Sequence, residues 1–481
     1  MSSDIPQSAT VLVVGGGPGG SYAASCLARE GVLVVVLEAD KFPRYHVGES
    51  QLASLPHFLR FIDLDKEFDE FGFNRKNGAA FKLNIHNREG YTNFVAQDPK
   101  NYSWNVTRAE SDVLMLRHSE NCGALVFEET KVLSFDFEGD GDARRPVAAH
   151  WKTKSGETGK ISFDFVVDAS GRAGLLSTRA FNTRVYNSHL KNVASWGYWR
   201  GAGSYASEDP VRKGSPFFEA LTDESGWAWF IPLQDGVTSV GVVMNQAISI
   251  EKKGKMAESD SLSFYHHELS RAPHIMALLV SATLVTDKGP VIRSASDYSY
   301  SATSYAGPGY RIVGDAAAFI DPFFSSGVHL ALSGALSAAA SICSSIRGDL
   351  SETDAYSWHN VRVGTSYTRF LVVVLSAYSQ MTNQGKPVLS NVNEADFDRA
   401  FGHFRSIIQG KTDTTQTNQD ELRATIQFCT AAFDSTNPQA QATARSVMRT
   451  EDTLHIDHLV ADQLNGFSLR LERGYLGLEK C

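Results

Sequence analysis

The chain is poor in cysteine. Cys26, Cys122, Cys343, Cys429 and Cys481 are far apart, odd in number and form no C-x-x-C pair, so neither a zinc site nor a disulfide framework is expected and no metal is called for. A reducing, cytoplasmic compartment follows. Basic residues are outnumbered, with 45 Lys and Arg against 54 Asp and Glu and a net charge of −9. Nucleic-acid binders need clustered cations to release counterions, so a nucleic acid is not an expected partner. No basic segment precedes the first apolar run, which reads as a strand and not as a signal peptide. The longest later apolar run, residues 370–377, is far too short to cross a bilayer, and no membrane span is expected. Internal repeats and low-complexity tracts are missing as well. What remains, 42% hydrophobic and 21% charged residues over 481 positions, describes a globular protein long enough for two or three structural units.

The N-terminus carries a β-α-β pattern. Residues 11–14 are a short apolar run, residues 15–20 read Gly-Gly-Gly-Pro-Gly-Gly, residues 21–30 are patterned as a helix, and residues 32–37 are a second β-branched run. Gly15, Gly17 and Gly20 permit a tight turn and close approach of a pyrophosphate, Pro18 sits at the entry to the helix, and the helix N-terminus adds its positive end. Glu38 closes the second strand, where a carboxylate would accept hydrogen bonds from ribose hydroxyls. Two later segments complete a dinucleotide site. Residues 163–172 are a buried strand running through Asp168 into a small-residue loop, and residues 309–318 are another, ending in Gly314-Asp315. Asp315 can take a ribityl hydroxyl, and the helix beyond can direct its dipole at a flavin ring.

The predicted fold class is therefore α/β: a Rossmann-like G-x-G-x-x-G FAD-binding domain assembled from discontinuous segments, with a β-sheet-rich substrate layer and a C-terminal helical region. The FAD pieces are about residues 1–75, 105–185 and 290–350, and the sheet pieces about 75–105 and 185–290. Strand signals in the second layer are residues 80–85, 194–200, 227–232 and 238–244. Residues 351–481 form the helical region over the substrate pocket, with 356–378 and 394–408 as its clearest helices and 411–420 as a polar loop. Within it Tyr367, Phe370 and Tyr378 recur at helical spacing and read as core. His46 and His329 flank the expected site and read as satisfied polar histidines.

Trp227-Ala228-Trp229-Phe230-Ile231-Pro232 narrows the chemistry. Two indoles at i and i+2 on a strand point to one face, where they would form a rigid apolar wall between a flavin and an organic substrate. Together with the Gly15–Gly20 loop, Gly48-Glu49-Ser50, Lys76 ahead of Asn77-Gly78-Ala79-Ala80-Phe81, and Phe319-Ile320-Asp321-Pro322-Phe323-Phe324-Ser325-Ser326-Gly327, the hexapeptide resembles the flavin-dependent halogenases, in the style of fungal enzymes that chlorinate phenolic aromatics. The likeness covers roughly the first 350 residues.

The resemblance implies FAD, supplied as FADH2 by a separate flavin reductase, with chloride or bromide as co-substrate. It implies FAD contacts from Arg44, Glu49, Ser50 and Arg108 besides the residues above, a halide site at Ser326 and Gly327, and a barrier of Trp227, Trp229, Ile231 and Pro232. It gives Lys76 the task of carrying or activating hypohalous acid on the far side, either as an ammonium donating a hydrogen bond or as a free amine forming a haloamine. Lys82 is its nearest competitor in sequence. One departure stands out: indole-chlorinating relatives carry a glutamate where this chain has Phe324. A phenol needs less help from a carboxylate, because its ionised hydroxyl activates the ring, so a small phenolic substrate is expected. An aromatic hydroxylase would share the N-terminal loop but needs open access to the flavin. An isoprenoid-saturating flavoprotein reductase would have no purpose for Lys76.

Overall fold

The computed structural model describes residues 4–86, 88–256, 260–287, 289–384 and 463–481. Its first sheet has eight strands. Ser8–Val14, Val34–Leu37, Thr158–Asp168, Tyr310–Ile312 and, at one edge, Leu125–Phe127 run parallel, and Val11, Leu12, Val13, Val34, Val35 and Val36 are completely buried. Such β-branched runs suit a parallel sheet covered on both faces. Helix Pro18–Arg29 covers one face, and the long helix Gly327–Arg347 packs on that helix through its alanine-rich side. Among the described residues Gly327–Arg347 is the one helix long and apolar enough to cross a membrane, and most of it is buried inside the fold.

A second sheet of nine strands lies beside the first. Its middle is the antiparallel run Arg184–Arg200, Val237–Asn245, Gly226–Pro232 and Phe217–Ala220, continued by Gly78–Lys82 and Gly90–Asn93. Residues 293–302, assigned from sequence to the FAD pieces, pair with Arg184–Arg200 in this second sheet. The run is rich in serine and tyrosine, with Ser299 and Tyr300 buried, and its place in the sheet comes from the long antiparallel pairing. A small separate ladder joins Asn74–Lys76 to Ser103–Asn105.

Strand Gly226–Pro232 is buried on both faces. Trp227, Trp229 and Ile231 belong to the apolar cluster shared with the first sheet, while Ala228 and Phe230 belong to the cluster on the other side. Gly241 stands opposite Trp229, and a Cβ there would lie 2.3 Å from the indole, so the missing side chain is what lets the ring lie across the neighbouring strand.

Residues 356–378 fall inside helix Glu352–Met381; the helix expected at 394–408 and the loop at 411–420 lie outside the described residues. The chain end differs from expectation. Phe467–Arg470 and Gly477–Lys480 form a β-hairpin whose Leu476 and Leu478 are buried, with Leu476 N–H donating to Glu30 and Leu478 N–H to Ser344 Oγ.

Candidate active site

A cavity of about 580 Å3 opens between the two sheets. Strand Ser8–Val14 delivers the glycine turn to its wall. Gly15 has φ +102°, and a Cβ on it would meet Ala169 O at 2.4 Å; a Cβ on Gly20 would lie 1.9 Å from Gly15 O. Only glycine fits either place. Gly15, Gly17 and Pro18 line the cavity, whereas Gly20 closes the turn from behind. Glu38 also lines it, oriented by Gly16 N–H at 2.5 Å and Asp40 N–H at 2.8 Å. Its remaining acceptor capacity faces the cavity.

Arg44 and Arg108 converge on Asp112, at 3.1 Å from Arg44 and 2.8 Å from Arg108 Nε, and both arginines border the cavity. Arg108 also donates to Val47 O at 2.9 Å, which fixes the Gly48-Glu49-Ser50 segment. The adjacent Arg108 guanidinium holds the His46 imidazole well below its usual range. Burial pushes the Glu49 carboxyl up. It accepts Tyr198 Oη at 2.7 Å, Tyr198 meets Tyr45 at 3.0 Å, and Trp196 Nε1 donates to Tyr45 at 2.8 Å. This aromatic hydrogen-bonded row was not found from sequence. The alternation of Trp196 and Tyr198 on one strand face was its available signal.

Gly314 and Asp315 reach the cavity from the third parallel segment, and burial raises the Asp315 carboxyl. Asp168 differs from expectation. Its carboxylate accepts Ser170 N–H at 3.1 Å and Leu176 N–H at 2.7 Å, so it ties down the loop and lies behind the lining residues. The glycine turn, the oriented Glu38, the paired arginines and Asp315 fit a flavin dinucleotide: close backbone approach for phosphates, with carboxylates toward hydroxyls.

Trp227, Trp229, Ile231 and Phe218 form the apolar end of the cavity, and Pro232 lies just outside it. Pro232 O is held by Asn74 Nδ2 at 3.1 Å and Asn105 Nδ2 at 3.0 Å. Trp229 Nε1 donates to Ser239 Oγ at 3.1 Å and Trp227 Nε1 to Tyr378 Oη at 2.8 Å. Tyr378 in turn donates to Asp321 Oδ2 at 2.6 Å, and Asp321 Oδ1 accepts Phe323 N–H at 3.1 Å. The tyrosine thus joins the tryptophan wall to the turn before helix Gly327–Arg347. Tyr367 and Phe370 are core. His329 Nδ1 lies 2.8 Å from Ser54 Oγ.

In that turn Ser325 has φ +57°, Ser325 and Gly327 line the cavity, and Ser326 Oγ is completely buried with no hydrogen-bond partner. An orphaned hydroxyl beside the free N–H groups of a helix start is a fitting place for a small anion. Phe324 is buried against Phe81 and Phe323, with centroids 5.2 and 4.9 Å away.

Lys76 is 1% exposed. Its Nζ lies 2.8 Å from Ser50 Oγ and 2.7 Å from Gln51 O, and 5.1 Å from the Phe94 ring centroid. Burial pushes the amine down to about 7. It lies behind the cavity wall, with Ser50 between. Lys82 is also buried, on the neighbouring strand Gly78–Lys82.

Residues 10–98 and 95–448 match the family model described as tryptophan halogenase. The chain is 50% identical over 524 residues to the flavin-dependent halogenase ascD of Acremonium egyptiacum, covering 99% of this chain and 94% of that protein. It is 44% identical over 522 residues to the sulochrin halogenase gedL of Aspergillus terreus, with the same coverage. Among solved structures, the myxobacterial chondrochloren halogenase CndH superposes with a TM-score of 0.71 at 30% identity, covering 93% of this chain and 99% of that one. The flavin-dependent halogenase CmlS gives 0.72 at 26% identity, over 98% and 84%.

Proposed function

Because the chain belongs to the flavin-dependent halogenases, and is therefore an FAD-dependent oxidoreductase, we propose that it halogenates a small phenolic aromatic with chloride or bromide, and that Lys76 relays the halogen. The reduced flavin, delivered by a separate reductase, supplies with oxygen the oxidising equivalent that converts halide to hypohalous acid. Gly15, Gly17, Pro18, Glu38, Arg44, Arg108, Gly314 and Asp315 hold that cofactor, with Gly20 and Asp168 shaping its turn and loop from behind and Glu49 and Ser50 bounding it on the Lys76 side. Ser326 and Gly327 hold the halide. Trp227, Trp229 and Ile231, braced at Pro232, keep the phenol off the flavin and confine the oxidant.

The single observation that carries this reading is the environment of Lys76. A lysine completely enclosed and brought to about 7 is a substantial fraction free amine at neutral pH, and a free amine is a nucleophile toward the halogen of hypohalous acid. Its short path to the cavity runs past Ser50. The phenolic substrate class rests on two supports. Phe324 puts an apolar ring where a carboxylate would assist an indole, and a relative 44% identical is a sulochrin halogenase.

One incubation tests it: purified protein, FAD, a generic flavin reductase, chloride or bromide, and a panel of phenols analysed by mass. Halogenated phenols are expected; products hydroxylated but never halogenated would overturn the proposal. Lys76→Ala should abolish halogenation while FAD binding persists.

A further inference from the structure

Ser50 stands between the cavity and the Lys76 amine, touching both. Three groups surround Nζ: Ser50 Oγ, Gln51 O and the Phe94 ring. Of these three residues only Ser50 also lines the cavity. Ser50 is 6% exposed, and its backbone is pinned on both sides. It forms a bridge with Asn105, Gln51 N–H donates to Trp104 O at 3.1 Å, and Val106 N–H donates to Glu49 O at 2.8 Å. The hydroxyl accepts from Lys76, and among the described hydrogen bonds its own proton has no protein acceptor. A neutral amine has two hydrogens and one lone pair. With both hydrogens directed at Ser50 and Gln51, the lone pair is left for a reacting partner.

Resting on the role of Lys76 proposed above, we infer that the Ser50 hydroxyl is a catalytic proton relay for halogen transfer onto that amine. The Lys76 lone pair attacks the halogen of hypohalous acid, so the N–halogen bond forms as the O–halogen bond breaks and its electron pair goes to oxygen. The departing hydroxide takes the Ser50 proton and leaves as water. Ser50 Oγ then takes the hydrogen that Lys76 already directs at it, which becomes acidic as nitrogen is halogenated. The products are an N-haloamine and water, with no net change at Ser50. Without the relay, hydroxide would depart into an apolar enclosure, an unfavourable place for an uncompensated anion. Of the charged groups on the elements packed around the amine, Glu49 is engaged by Tyr198 on the cavity side, and Arg75 is directed to Pro99 O and the Tyr102 ring.

The test compares Ser50→Ala, Ser50→Thr and Lys76→Ala with the wild type, supplied with FAD, reductase, halide and a phenol the wild type halogenates, with taurine present to trap escaping hypohalous acid. With rates referred to bound FAD, Ser50→Ala should lose phenol halogenation about 100-fold, the scale of a lost acid–base group, and divert the oxidant it still makes to taurine, so that the ratio of taurine haloamine to halogenated phenol rises. Ser50→Thr, which keeps the hydroxyl, should restore most of the halogenation. A second readout needs no turnover: in flavin-free protein labelled with 13Cε-lysine, Ser50→Ala should move the Lys76 titration to lower pH, because an acceptor favouring the ammonium is gone. Wild-type halogenation per bound FAD by Ser50→Ala, an unchanged ratio of taurine haloamine to halogenated phenol, or an unmoved titration would each overturn the relay. Undiminished halogenation by Lys76→Ala would instead overturn the reading of Lys76 on which the relay rests.

Discussion

A lysine enclosed as Lys76 is must work against its own charge, and this has two measurable consequences. Its ionisation lies at about 7 against an ordinary 10.5. If the free amine is the working form, phenol halogenation at saturating substrate should fall as pH drops below about 7; a rate unchanged well into the acid range would exclude a neutral-amine step. Between about 7 and 10.5 the unfolded chain binds the proton and the folded chain does not, so stability contributed by this group rises with pH across that window. Below it the full penalty is present, on the order of 5 kcal/mol. Lys76→Met should flatten that slope in denaturant unfolding measured from pH 7 to 10. At Ser326, replacement by Ala should raise the KM for halide several-fold with little effect on the KM for the phenol, checked by steady-state kinetics. Both positions were legible only through family likeness. Arg75-Lys76-Asn77 reads locally as a solvated turn, and what encloses Lys76 is a ladder to Ser103–Asn105, a long-range pairing that local pattern does not carry.

Elements with strong periodicity were legible. The glycine turn between two β-branched runs, and the Trp-x-Trp-x-Ile alternation, each follow from backbone geometry, and the structure has them as strand, helix and strand. Shorter or polar elements were not. The strand at residues 293–302 is rich in serine and tyrosine and takes its place from pairing with Arg184–Arg200, and the terminal hairpin gains its order from burial of Leu476 and Leu478. The tryptophan wall depends on its neighbour strand as much as on itself. Gly241→Ala puts a methyl 2.3 Å from the Trp229 ring, so it should lower stability by about 1–3 kcal/mol and increase taurine-trapped oxidant per turnover. Unchanged trapping with an unchanged melting temperature would contradict this view of the wall.

Across the whole molecule, the site is a joint product of distant parts of the chain. Tyr378, near the end of helix Glu352–Met381, accepts from Trp227 and Asn192 and donates to Asp321, so one hydroxyl ties three regions together. Tyr378→Phe removes it and leaves buried polar groups short of a partner, each worth about 1–3 kcal/mol. It should raise the KM for halide by loosening the Asp321 turn, whereas equal effects on halide and phenol would assign it to general packing. The overall claim is that oxidant made on one side of the wall reaches the phenol as halogen carried by a single amine. Its most direct test is intact-protein mass spectrometry of wild type and Lys76→Ala, quenched during turnover with chloride but without phenol. The expected result is a wild-type species in which one chlorine replaces one hydrogen, missing from Lys76→Ala and discharged on adding phenol. A wild-type protein that stays unchlorinated while it goes on to halogenate added phenol would contradict the claim.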